Sequence, residues 1–75
     1  MKHVEVTSSH IHSIGHEGNI MEVTYKAKGG IGATYAHTPI SAEDHATIMD
    51  RHLNKGESIG RIIRNLEPKG VRLGD

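Results

Sequence analysis

Residues 20–26 alternate strictly, with Met21, Val23 and Tyr25 on one side and Glu22 and Thr24 on the other. A period of two sends successive side chains to opposite faces, so this segment predicts a strand with one buried and one wet face. Residues 9–14 predict a strand before it, closed by Gly15-His16-Glu17-Gly18-Asn19, a run rich in residues that tolerate turn conformations. Lys28-Gly29-Gly30-Ile31-Gly32 predicts a plain hairpin into a third strand at residues 33–37, which Pro39 stops because proline has no N–H for a ladder. Consecutive strands joined by short turns form an antiparallel meander.

Beyond Pro39 the period changes to 3.6. Ser41 is a good N-cap with Asp44 three residues on, and Glu43 and Asp44 fall in the first turn, where the helix dipole favours negative charge. A helix is expected over residues 42–54, covering the sheet with Ala42, Ala46, Met49 and Leu53, and Gly56 can end it. Ser58 can cap a second short helix with Ile59, Ile62, Ile63 and Leu66 on one side, ending before Pro68. The fold class is therefore α+β: a three-stranded antiparallel meander followed by two short helices packed on one face. Residues 71–73, within a tail at 67–75, can add a short C-terminal edge strand.

Seventy-five residues hold one domain, and its core must be built without Phe, Trp or Cys. Lack of cysteine excludes disulfides, thiolate zinc sites and a catalytic thiol. No run of about 20 apolar residues is present, so no membrane span is expected, and the start of the chain lacks a secretory signal; the expected location is cytoplasmic. At this size the margin between burial and chain entropy is thin, which keeps homodimerisation open. Nine Lys plus Arg balance nine Asp plus Glu, so a strong sequence-independent grip on nucleic acid is not expected from net charge. Charge is uneven, however: Arg51, Lys55, Arg61, Arg64, Lys69 and Arg72 face only Glu57 and Glu67 between residues 51 and 73.

Seven histidines are the compositional oddity. His10 and His12, two apart on a strand, would share a face and could chelate a metal with His16, but a closed site needs a fourth ligand and the spacing fits no zinc finger; surface or capping histidines are the expectation, with no metal. His45 and His52 flank the apolar stripe of the first helix. As pH falls through the imidazole range, charging histidines would strengthen any polyanion contact. No nucleophile elbow, zinc-binding His-Glu-x-x-His or cofactor loop appears, and catalysis is not expected. The two helices and their turn echo a helix-turn-helix, without the third helix that would complete it.

Ser8-Ser9-His10-Ile11-His12-Ser13-Ile14-Gly15-His16-Glu17 has the spacing of Ser-Ser-x-Ile-x-x-Ile-Gly-Tyr-Asp, with His16 at the aromatic position and Glu17 at the aspartate. Met21-x-Val23-x-Tyr25 parallels an alternating Leu-x-Val-x-Phe strand, and Tyr35 with Pro39 parallels the second tyrosine and the proline of Tyr-x-Tyr-x-x-Val-Pro. Gly56 to Arg64 parallels Gly-x-Phe-Phe-Asn-x-x-Ile-Arg/Lys, with Gly60 at the asparagine. Over residues 7–66 the chain thus resembles the KTSC domain, a small family found at the C-terminus of some lysyl-tRNA synthetases and as stand-alone proteins. The resemblance implies a small interaction module with RNA contact. Small stand-alone members also occur in phage genomes, which implies a competing role: a protein-binding factor that docks on a host enzyme in the host cytoplasm.

The candidate nucleic-acid surface comprises Tyr35, for base stacking, with His37 beside it, and Arg61 and Arg64, three apart on the second helix and able to reach phosphates, with Lys55 as a helper. The plainer alternative makes Arg61 and Arg64 a solvated helix face and Tyr35 part of the core.

Overall fold

In the computed structural model, which describes residues 1–74, the alternating segment becomes β3 (Ile20–Ala27), the middle strand of the sheet. It pairs antiparallel with β2 (Ile11–Glu17) and with β4 (Gly30–His37), while β1 (His3–Glu5) and β5 (Val71–Arg72) take the two edges in the order β1-β2-β3-β4-β5. The expected meander, the two helices after it and the C-terminal edge strand are all present. The one strand that the pattern does not predict is β1, whose three residues are too few for alternation to show in sequence. Strand β2 also runs through Gly15, His16 and Glu17, which were expected in a turn; Glu17 pairs with Ile20 and only Gly18-Asn19 turns, with Gly18 at φ 63°.

Register decides the faces. Ile14, Val23 and Tyr35 lie opposite one another across β2, β3 and β4, as do His16, Met21 and His37, and these side chains point to the side the helices cover. Ser13, Thr24 and Thr34 form a hydroxyl row on the other side, with Thr24 Oγ1 and Thr34 Oγ1 hydrogen-bonded at 2.8 Å. Register shifts between Ile11 and Ser13, and His10 lies in a bend before β2, so His10 and His12 do not share a strand face.

Helix α1 (Ala42–Leu53) starts where its sequence says: the Ser41 hydroxyl accepts the Asp44 N–H at 3.0 Å. Its buried side differs from the expected stripe. Ala42, Ala46 and Leu53 are exposed, Leu53 by 57%, whereas Ile48 is buried and Met49 half-buried. His45, Ile48, Met49 and His52 form the inward ridge at i, i+3, i+4 and i+7. Burying Ile48 gains about 1.5–3 kcal/mol, more than two alanines supply, and both histidines on this ridge find ring or hydrogen-bond partners. Gly56, at φ +72°, lets the chain reverse, and the Glu57 N–H bonds the Arg51 carbonyl at 3.0 Å across that turn.

Helix α2 (Ile59–Arg64) is capped by Ser58, whose hydroxyl accepts the Arg61 N–H, and buries Ile59, Ile62 and Ile63 as its spacing requires. Together with Ile11, Ile14, Met21, Val23, Ile40 and Ile48 they form the core, with Val6, Tyr25, Met49 and Leu66 packed around it. Isoleucine thus supplies the bulk that aromatic residues usually provide. No helix among the described residues is long and apolar enough to cross a membrane.

Candidate nucleic-acid interface

Helix α2 sets the first two candidate side chains. Its three isoleucines are drawn into the core, which turns Arg61 and Arg64 to solvent on the opposite side. Arg61 lines a groove of about 450 Å³ with Arg51, Glu57, Asn65 and Leu66. Lys69, in the segment after α2, reaches back so that its Nζ donates to the Arg64 carbonyl at 3.2 Å, placing a third cation at the same helix end. Arg72 sits on β5 opposite Tyr35.

Four ion pairs occur among the described residues: the N-terminal amine with Glu17, His3 with Glu22, Arg51 with Glu57 and Lys55 with Asp50. Arg51 gives Glu57 Oε1 two donors, Nε at 3.0 Å and Nη2 at 2.6 Å, and this hydrogen bond to Arg51 holds the Glu57 carboxyl below the usual carboxylate range. Lys55, expected as a helper, is partly neutralised by Asp50 at 3.7 Å. Arg61, Arg64, Lys69 and Arg72 form no ion pair with any described carboxylate.

The aromatic half of the expected surface is corrected. His37 is 4% exposed, and its Nδ1 donates to the Pro68 carbonyl at 3.1 Å, so it holds the C-terminal segment against the sheet and meets no external ligand. The reason is register: His37 lies opposite Met21 on the covered side of the sheet, beneath the chain at Gly70. Tyr35 is half-buried on that same side, its ring edge-on to Tyr25 with centroids 5.5 Å apart, and not on the open face. Burial, then the neighbouring Tyr35, push the Tyr25 phenol above its ordinary value. The candidate surface thus keeps Arg61 and Arg64 on α2, with Lys69 at the end of that helix and, on β5, Arg72 beside one half-buried tyrosine. Lys69 and Arg72 are the members added to it; the excess of cations over residues 51–73 was their only sequence signal.

The chain matches no model of a known family, no curated protein and no solved structure. The KTSC likeness therefore rests on its motif residues alone.

One constellation had no sequence signature. The His3 Nε2–H donates to Glu22 Oε1 at 2.9 Å, and His3 Nδ1 lies 3.1 Å from Ser13 Oγ, so a carboxylate, an imidazole and a hydroxyl stand in series on the open sheet face. Order and distances resemble a nucleophilic triad. Ser13 is only 4% exposed, however, and its hydroxyl is the partner of the His3 ring. The series ties β1 to β2 and β3. No group of three His, Asp or Glu side chains that could hold a metal ion occurs among the described residues, and His16, offered as a third ligand with His10 and His12, instead donates from Nε2 to the Ile40 carbonyl at 2.6 Å.

Proposed function

We propose that this domain is a non-catalytic interaction module of the cytoplasm that binds single-stranded RNA through Arg61, Arg64, Lys69 and Arg72. The observation that carries this reading is the contrast in charge pairing: the cations of the α1 end are engaged by Glu57 and Asp50, while these four have no described carboxylate partner. An unpaired guanidinium keeps its full donor set for phosphate oxygens. The KTSC resemblance supports the choice of RNA, and Tyr35 beside Arg72 offers one stacking margin for a splayed base.

Counterion release gives the test a number. Four phosphate contacts to a single strand predict a slope of log K against log salt near −3, so affinity should fall about 50-fold between about 50 and 200 mM salt. Fluorescence anisotropy with a labelled oligouridine measures this, and Arg61→Ala with Arg64→Ala should flatten the slope by about 1.4. A salt-independent affinity, or a folded double variant that binds as before, refutes the reading.

A second reading is favoured by the exposed Ile31, Val71 and Leu73 near the outer β4–β5 edge. In it the domain is a protein-binding factor, and capture of its partner survives both nuclease and added salt.

A further inference from the structure

His16 on β2 and His45 on α1 stack at the seam between sheet and helix, with ring centroids 4.8 Å apart and planes inclined by only 14°. His16 is fixed by its Nε2–H bond to the Ile40 carbonyl, and the Ile40 N–H in turn bonds the Asn19 carbonyl at 2.7 Å. Nδ1 of His45 is buried and has no partner among the described residues. One contact therefore joins the β2–β3 turn, the residues before α1 and the first half of α1 itself. Two neutral imidazoles stack without penalty; two imidazolium ions at this separation repel, and a proton on the buried His45 Nδ1 finds no acceptor.

We propose that the His16–His45 stack is an acid-sensitive latch: it holds the N-terminal half of α1 on the sheet while both rings are neutral, and protonation releases that half-helix. Burial, then the neighbouring His16, hold the His45 imidazole below its ordinary value, which agrees with this geometry. The position near the N-terminus of α1 opposes positive charge in the same direction. A depressed folded value means that the unfolded or released state binds protons more readily. The latch is thus fully closed above the ordinary imidazole range near 6.5 and loses its hold as pH falls through and below it.

The charged and titratable groups around the pair do not offset this. Met21 of β3 lies opposite His16 with His37 of β4 beyond it, its Nδ1 bonded to the Pro68 carbonyl at 3.1 Å, and α2 turns Ile59, Ile62 and Ile63 inward. Glu43 and Asp44 of α1, Glu17 of β2, Lys2 ahead of β1 and Glu67 beyond α2 are all exposed. His52, two turns along α1, is engaged elsewhere: its Nδ1–H donates to the Glu57 carbonyl at 2.9 Å, and its Nε2 accepts the Thr7 N–H at 3.3 Å. His3 stands apart from the pair, its Nε2 bound to Glu22 Oε1 at 2.9 Å across β1 and β3.

Amide hydrogen exchange followed by NMR, corrected for intrinsic rates, tests the latch. Between about pH 7.5 and 5.5, protection of residues 45–50 relative to β3 should fall about fivefold or more in the wild type and stay constant in His45→Phe, which keeps the stacked ring but takes no proton. An unchanged ratio in the wild type, or an equal fall in His45→Phe, overturns the proposal. A direct titration of the wild-type His45 ring decides the matter if the variant does not fold: a midpoint at or above the ordinary histidine value of about 6.5 overturns it, and one below supports it.

Discussion

Replacing Ile48 and Leu53 by alanine, one at a time, tests how α1 sits on the sheet. Leu53 belongs to the apolar stripe that the sequence offers, and Ile48 does not; in the structure Ile48 is 5% exposed and Leu53 57%. Truncating a buried isoleucine removes its transfer energy and leaves a cavity, together about 2–5 kcal/mol, against which alanine returns less than about 0.7 kcal/mol in helix propensity. A net loss of about 2–4 kcal/mol is expected for Ile48→Ala. A chain of 75 residues has a total stability of roughly 4–11 kcal/mol, so this is a large share of it. At about 4–8 °C per kcal/mol, Tm should fall by about 8–32 °C. Leu53→Ala removes little buried surface and should stay within about 0.5 kcal/mol of wild type. Urea unfolding followed by circular dichroism measures both, and an unchanged m value confirms that only stability moved. If Leu53→Ala proves as costly as Ile48→Ala, α1 lies on the stripe Ala42, Ala46, Met49 and Leu53, and the inward ridge described above is wrong.

Gly15→Ala should detach the N-terminal strand, because a Cβ there would stand 2.5 Å from His3 Cδ2 and 3.0 Å from Met1 Sδ. A cost of about 1–3 kcal/mol is expected, with faster amide exchange confined to residues 3–5 and relief of the defect in a His3→Ala background; uniform loosening of the whole sheet would contradict it. At alkaline pH one of the two tyrosines should ionise later than a free phenol, since burial and the neighbouring Tyr35 raise Tyr25, and the stability from its neutral form is lost as pH rises through that higher value. Spectrophotometric titration should show the late phase vanish in Tyr25→Phe; its persistence would assign the raised group to Tyr35.

The sequence by itself determined the order of the three central strands and two helices, and where each helix starts. Strict alternation in Met21, Val23 and Tyr25, the Ser41 and Ser58 caps, the break at Pro39 and the isoleucine spacing of α2 are all satisfied within a few residues of chain, so period and capping expose them. Exposed Arg61 and Arg64 followed from the same spacing. The tertiary structure alone decided which faces α1 and β4 bury and what the histidines do. Rotation of α1 onto Ile48, burial of His37 under Pro68 and Gly70, and placement of Tyr35 on the covered side depend on partners 31 residues away in the case of His37 and Pro68. His3, His16 and His52 likewise bond to groups 10 to 45 residues distant. An imidazole carries a donor and an acceptor on a half-apolar ring, and its sequence neighbours do not say whether that ring will face water or close a seam between elements. Composition counted the histidines; only the packed chain made them tertiary ties.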